Sequence, residues 1–274
     1  MSELLKRILI ATFGIPLILY LTYLGSWFFF ILLLIISLVA QWEFYRMQRN
    51  KEIYPQTIPG LIGGIVLLTG VNTGYFIFTG FSLLFMFLLM LTIEMFRKYK
   101  NASINLSVTL LGIFYIPFLL CFLLHLRRFL DSKDPHYGNA GFIFILVLFA
   151  AIWICDTFAY FFGKKFGAHK LFKKVSPNKS MEGAIAGLIG SIVVFLTAQL
   201  TGFLPFSPGS SLMLGVTVGV TGQVGDLIES WFKRDAGVKD SSDLLPGHGG
   251  MLDRFDSIIF TSPVLFMLIY FILN

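Results

Sequence analysis

Apolar residues run along this chain in long blocks, separated by short polar stretches in which lysine and arginine dominate. Blocks of that length suit helices that cross a bilayer. At a rise of 1.5 Å per residue, about 20 apolar residues span the roughly 30 Å hydrocarbon core. Nine such segments are predicted, at approximately Ile8–Leu24, Trp27–Gln41, Ile58–Val71, Gly74–Phe96, Leu106–Leu126, Ala140–Phe162, Gly183–Phe203, Ser211–Trp231 and Ser257–Leu273. The third is the weakest. It is short, has Pro59 near its start and contains Gly60, Gly63, Gly64 and Gly70. A re-entrant or broken segment, its backbone covered by protein or a water-filled cavity, is the alternative there. The opening residues MSELLKR lead straight into the first block with no small-residue cleavage site, which reads as a retained first helix rather than a signal peptide. The expected fold is an all-α, polytopic integral membrane protein of about nine transmembrane helices.

Nine crossings sort the loops onto two sides. Eighteen of the 21 basic residues fall on the N-terminal side, against Arg127, Arg128 and Lys133 on the other. Loops rich in Lys and Arg stay cytoplasmic, so the N-terminus is expected in the cytoplasm and the C-terminus across the cell (inner) membrane. Composition strengthens the membrane assignment. Apolar residues make up 56% of the chain and charged residues 13%, with mean hydropathy +0.81, whereas a soluble domain carries about 25% charged residues. The net charge of +6 suits anionic headgroups at the cytoplasmic face. Nucleic acid is not an expected partner, because the basic residues are scattered over membrane-bounded loops. Cys121 and Cys155 sit in apolar blocks and form no disulfide or zinc pattern.

The two halves differ in kind. Residues 1–138 supply spans rich in Leu, Ile and Phe and nearly free of acids, and residues 139–274 bring acids and glycines into the spans and their flanks. The chemistry is expected in this second part, at the cytoplasmic side. Ionisable residues inside a membrane are costly and mark functional candidates. Asp156 lies within the sixth predicted span, Asp226 and Glu229 near the end of the eighth, and Asp253 and Asp256 at the start of the ninth. Residues three apart on a helix share a face, as Asp226 and Glu229 do, and likewise Asp253 and Asp256. Clustered carboxylates repel unless a cation sits among them, and oxygen-only donors suit Mg²⁺. Asp226, Asp253 and Asp256 are the expected metal-binding acids. A helix dipole accounts for acids at a helix start, but not for Asp226.

Between the acids runs KRDAGVKDSSDLLPGHGGMLDR, the densest polar stretch of the chain. It carries Lys233, Arg234, Lys239, Asp240 and Arg254 and turns through Pro246, Gly247, His248, Gly249 and Gly250. Glycines let backbone N–H groups approach a phosphate, and the helix that follows adds a favourable dipole. His248 is either a general base or a loop hydrogen-bonder; the second reading fits better if phosphate is the nucleophile. A second stretch, GKKFGAHKLFKKVSPNKSMEG, reads either as a positive-inside loop or as a phosphate site. In it Ser176 or Ser180 would cap the following helix and Lys179 would lie near its N-terminus. The pairs Gly183 with Gly187 and Gly215 with Gly219 have the spacing that lets membrane helices pack closely.

The run from Ser230 to Asp256 resembles the signature of the phosphatidate cytidylyltransferases, or CDP-diacylglycerol synthases. Its matching residues are Ser230-Trp-Phe-Lys233-Arg234, Lys239-Asp240 and Pro246-Gly-His248-Gly249-Gly250-Met-Leu-Asp253-Arg254-Phe-Asp256. Upstream, Asp156, the Ala159-Tyr160…Gly163-Lys164 run, Ser176-Pro177…Lys179-Ser180…Glu182-Gly183 and Gly225-Asp226…Glu229 are similar too. The resemblance implies that CTP and phosphatidate, a lipid held in the bilayer, react with Mg²⁺ to give CDP-diacylglycerol and pyrophosphate. It also implies a homodimer and a second cation such as K⁺, and it puts Asp226, Asp253 and Asp256 at the metal. Lys233, Arg234, Lys239 and Arg254 are then candidates to hold phosphates. Other CTP-using membrane enzymes share a distantly similar polar core. A transporter would also hold intramembrane acids, but here the acids gather at one membrane face and no paired broken helices occur in two equivalent halves.

Overall fold

The structure, a computed structural model, describes residues 3–133, 139–244 and 249–274, with side chains from Thr12 onward. Ten α-helices carry nearly all of it: α1 (Glu3–Leu24), α2 (Ser26–Gln48), α3 (Thr57–Thr73), α4 (Phe76–Phe96), α5 (Ala102–Ile113), α6 (Leu119–Lys133), α7 (Ala140–Phe166), α8 (Met181–Leu200), α9 (Pro208–Asp235) and α10 (Leu252–Leu273). A π-helical turn, Phe114–Phe118, joins α5 to α6 around Pro117, whose ring nitrogen has no N–H to give to a regular ladder. Among the described residues a short antiparallel hairpin also forms, β1 (Lys170–Phe172) and β2 (Ser176–Ser180), within the lysine-rich stretch.

Among the described residues, seven helical segments are long and apolar enough to cross a membrane: α2, α4, α5 through α6, α7, α8, α9 and α10. The polytopic all-helical expectation holds, while the two remaining predicted spans are shorter apolar helices, Thr12–Leu24 and Thr57–Thr73. With 17 residues, α3 is about 26 Å long, at the lower limit for a crossing. It is nonetheless one unbroken helix. Pro59 sits in its first turn, where a missing N–H costs nothing. Its glycines serve packing. A Cβ at Gly60, or at Gly112 of α5, would run into the Tyr45 ring of α2.

The chain divides into two compact units. The first contains the residues up to His125 together with Lys233–Phe255; the second contains Leu126–Phe232 and Asp256–Asn274. Helices α6, α9 and α10 therefore each contribute to both units.

In the first unit α2 is central. Phe29, Phe30, Leu33, Ile36, Ala40 and Phe44 are buried along it. Buried polar groups find partners, as they must away from water. Tyr45 Oη donates to the Thr109 carbonyl at 2.6 Å, and Gln41 Nε2 donates to the Gly60 carbonyl at 2.9 Å. The Glu94 carboxylate on α4 accepts from Gln56, Asn105 and Arg97 at 2.7, 3.1 and 2.8 Å. Much of α4 beyond that network presents exposed apolar side chains, among them Phe78, Phe81, Phe85 and Leu88. Such a face is at home against lipid.

The second unit is built on small residues. Cβ atoms at Gly183 and Gly187 of α8 would approach backbone carbonyls of α7, at 2.6 Å for Ala159 and 2.8 Å for Cys155. A Cβ at Gly215 of α9 would lie 2.7 Å from the Ile192 Cα of α8, and one at Gly225 would lie 2.8 Å from the Asp256 carbonyl of α10. The close helix packing expected from the glycine spacing is thus present, and it brings α7, α8, α9 and α10 within backbone contact distance of one another in sequence.

Candidate active site

The second unit gathers acids from three helices. Asp226, half-buried on α9, is ion-paired through Oδ2 with Lys179 of β2 and accepts through Oδ1 from Ser230 at 3.3 Å. Asp256 on α10 is buried, and its own turn holds it: the Ser257 N–H donates to Oδ1 at 2.7 Å. Asp226, Asp156 and Lys179 are its charged neighbours within the second unit. The hairpin positions Lys179 because Ser180, the next residue, closes the strand and caps α8, accepting from the Gly183 N–H at 3.2 Å. Of the two candidate caps, Ser180 is therefore the one used. Ser176 stands at the other end of β2, opposite Phe172. His169 and Glu182 also meet: Nδ1 lies 2.7 Å from Oε1, and the His169 N–H donates to the same carboxylate at 3.2 Å. Neither contact follows from spacing, since the turn of the hairpin creates both.

The first unit holds the polar loop. α9 ends at Asp235, and Gly237 follows with φ +71, a left-handed conformation that suits glycine at a helix terminus. The Val238 N–H returns to the Lys233 carbonyl at 2.9 Å, and the Arg234 guanidinium donates to the Val238 carbonyl at 3.0 Å. Lys233 is buried, with Nζ 2.5 Å from Asp253 Oδ1. The other oxygen of Asp253 accepts from the Ser241 N–H at 2.9 Å, the Ser241 hydroxyl at 2.8 Å and the Gly250 N–H at 2.8 Å. Lys239, Asp240 and Arg254 are exposed. His248 lies outside the described residues.

Gly249 and Gly250 are needed for a protein carboxylate on each side. Gly249 has φ +78, and a Cβ there would lie 2.9 Å from Asp253 Oδ2. At Gly250 a Cβ would strike the Ser241 hydroxyl and come within 2.6 Å of both Glu43 oxygens. Glu43, on α2, is fully buried. Sequence reasoning missed it because the predicted second span stops at Gln41. In fact α2 continues through Gln48, and the intramembrane-acid criterion that selects Asp156 would have selected Glu43 as well.

As for a metal, among the described residues no three His, Cys, Asp or Glu side chains converge into a ready cage. The donor chemistry nevertheless fits a hard divalent cation. Asp226 and Asp256 offer oxygen donors alone, the kind such an ion takes, and Asp226 is already drawn to a cation, the Lys179 ammonium.

A multi-pass helical membrane protein with a carboxylate cluster and lysine-bearing polar loops is equipped to handle phosphates at a membrane. The chain matches the model of the cytidylyltransferase family over residues 5–272 and belongs to that family. Similar proteins include phosphatidate cytidylyltransferases of Staphylococcus aureus (strain COL), Bacillus subtilis (strain 168) and Synechocystis sp. (strain ATCC 27184 / PCC 6803 / Kazusa). The first is 37% identical, with 86% of this chain and 87% of the relative covered. The second is 34% identical with 98% of each covered, and the third 31% identical with 98% of this chain and 97% of the relative covered.

Proposed function

We propose that the protein forms CDP-diacylglycerol and pyrophosphate from CTP and phosphatidate. What supports this reading most is the family match across residues 5–272, joined to relatives of nearly equal length that bear the name phosphatidate cytidylyltransferase. A phosphatidate oxygen attacks the α-phosphorus of CTP; the bond from that phosphorus to the bridging oxygen breaks, and pyrophosphate leaves with the electron pair. The nucleophile is already an anion, so positioning and electrostatics outweigh proton abstraction, and His248 serves best as a loop hydrogen-bonder.

Two anions must approach each other, so this chain's cations carry the work. Lys179 is paired with Asp226 and Lys233 with Asp253, and substrate phosphates compete with these carboxylates for the two ammonium groups. Arg234, Lys239 and Arg254 add phosphate-binding charge, arginine with a bidentate fork, and Asp240 lies beside Lys239 in the same loop. Ser176, Ser180, Gly249 and Gly250 shape the backbone near these groups. Mg²⁺ would be held by Asp226 and Asp256, with Asp253 one turn before Asp256 on α10, and when bound it supplies Lewis-acid polarisation of phosphate oxygens. A second cation such as K⁺, a homodimer, and a cytoplasmic N-terminus and active site belong to the same proposal.

Purified protein in mixed micelles, given labelled CTP and phosphatidate, should yield CDP-diacylglycerol only when Mg²⁺ is present. Asp226→Asn should purify normally and turn over nothing. Consumption of CTP with a polyprenol but not with phosphatidate would overturn the substrate assignment; near-normal activity of Asp226→Asn at limiting Mg²⁺ would remove Asp226 from the metal.

A further inference from the structure

Among the described residues, the hydrogen bonds of Glu43 on α2 all run to the polar loop and the start of α10. Glu43 Oε1 accepts from the Ser242 hydroxyl at 2.5 Å and the Met251 N–H at 3.0 Å. Oε2 accepts from the Ser241 hydroxyl at 3.1 Å and the Leu252 N–H at 2.8 Å. Oε1 thus receives a hydroxyl and a backbone N–H, and Oε2 receives a backbone N–H and a share of the single Ser241 proton, which also reaches Asp253 Oδ2 at the shorter distance. Met251 and Leu252 open α10, and the first N–H groups of a helix have no partner inside it. Glu43 supplies that partner and puts a carboxylate where the helix dipole favours one. The Ser241 hydroxyl also reaches Asp253, so Glu43, Ser241, Asp253 and Lys233 form one connected chain of contacts. Ser241 and Ser242 in turn line a cavity of about 450 Å³ with Trp42, Arg46 and Asn50.

We propose that Glu43 is a positioning residue for the reaction: it ties Ser241 and Ser242 to Met251 and Leu252 so that Asp253 and Lys233 keep their geometry. The proposal rests on the cytidylyltransferase reading. The chemistry of substitution at Glu43 is unusually discriminating. A serine hydroxyl can rotate and accept a hydrogen bond, but a backbone N–H cannot. In Glu43→Gln the new amide nitrogen must face the N–H of either Met251 or Leu252, whichever way the side chain is turned. The variant keeps the volume of Glu43 and breaks its function as an anchor.

The test compares Glu43→Gln, Ser242→Ala, their double mutant and Glu94→Gln in the full-length, detergent-purified protein. Glu94 is a control for the loss of a buried carboxylate network, because its partners Gln56, Asn105 and Arg97 lie away from the loop. Two readouts are taken: kcat and KM for each substrate, and hydrogen exchange of the amides from Lys239 to Leu252. We expect Glu43→Gln to lower kcat by roughly 10- to 100-fold, the scale of a small misplacement of reacting groups. Exchange at Met251 and Leu252 should speed up. Ser242→Ala alone should cost less, and should add little to Glu43→Gln, because both act through one carboxylate. Glu94→Gln should lower yield or thermal stability while leaving kcat per folded molecule and loop exchange unchanged. Fully additive losses, or unchanged exchange at Met251 and Leu252 in Glu43→Gln, overturn the proposal. Should Glu43→Gln not fold, a normal kcat and normal loop exchange in Ser242→Ala overturn it equally. Should the wild type not make CDP-diacylglycerol, the functional reading fails separately, and the exchange comparison still decides whether Glu43 anchors the loop.

Discussion

Lys239 and Arg254 are exposed basic residues within and just after the polar loop, and Lys98 and Lys100 are exposed basic residues following α4. General attraction to anionic substrates treats all four alike, with small losses on removal that shrink as salt rises. A phosphate-holding loop treats them differently, since loss of a hydrogen bond to a charged group costs about 1.5–3 kcal/mol, or roughly 10- to 100-fold. Lys239→Ala and Arg254→Ala are therefore expected to lower kcat/KM on that scale, and Lys98→Ala and Lys100→Ala to change it little. Steady-state kinetics at two ionic strengths, with CTP and phosphatidate varied separately, make the comparison; equal, salt-sensitive losses in all four would contradict a specific loop. Some of this residue-level picture is legible in the sequence. Acids in apolar runs stand out because burying them is costly. Their partners do not, because Lys179 with Asp226, Lys233 with Asp253 and Ser241 with Glu43 are 47, 20 and 198 positions apart.

Helices α7, α8, α9 and α10 are held by contacts that leave no room for a side chain. Gly187→Val is expected to push α8 off the Cys155 carbonyl of α7 and to cost about 1–3 kcal/mol, as overpacking does. Ser180→Ala removes the N-cap of α8, with an expected cost of about 1 kcal/mol. Both changes can be read by a thiol-reactive dye during heating, because Cys121 and Cys155 are buried and become reactive only on unfolding. An unchanged melting profile for Gly187→Val would mean that the α7–α8 contact yields more easily than the distances indicate. At this scale the small-residue spacing is enough to anticipate close packing, but not which helix each glycine meets. The hairpin Lys170–Ser180 is not legible at all: with six lysines around it and little β-branched content, the segment reads as a solvated loop, and cross-strand pairing is decided by where α7 and α8 bring its ends.

For the whole molecule, the charge split between loops yields a topology that can be measured. A thiol at Ser176→Cys is expected to stay protected from a membrane-impermeant reagent added outside intact cells, and one at Asn274→Cys to react. Labelling of Ser176→Cys but not Asn274→Cys would invert the arrangement. The native cysteines leave the background low, being buried at 5% and 3% exposure. The two helices that fall short of the length and apolarity of a span, Thr12–Leu24 and Thr57–Thr73, are where such a topology is most exposed to test, since each crossing removed flips every loop that follows it.

Hydropathy alone determined that the chain is an all-helical membrane protein, because the bilayer forces each spanning segment to be apolar and to satisfy its own backbone. The spacing of acids, lysines and glycines in residues 230–256 determined the family resemblance, since those features are local in the chain. Tertiary structure decided what lies beyond local spacing. It continued α2 past Gln41 by giving Gln41, Glu43, Tyr45 and Gln48 buried surroundings, so that polar residues in a helix end became part of a core. It also placed Lys233–Phe255 in one compact unit with the N-terminal helices and Asp256–Asn274 in the other. A carboxylate on α2 and the first N–H groups of α10 complete each other's hydrogen bonding, and that requirement can be met only once distant segments are folded together.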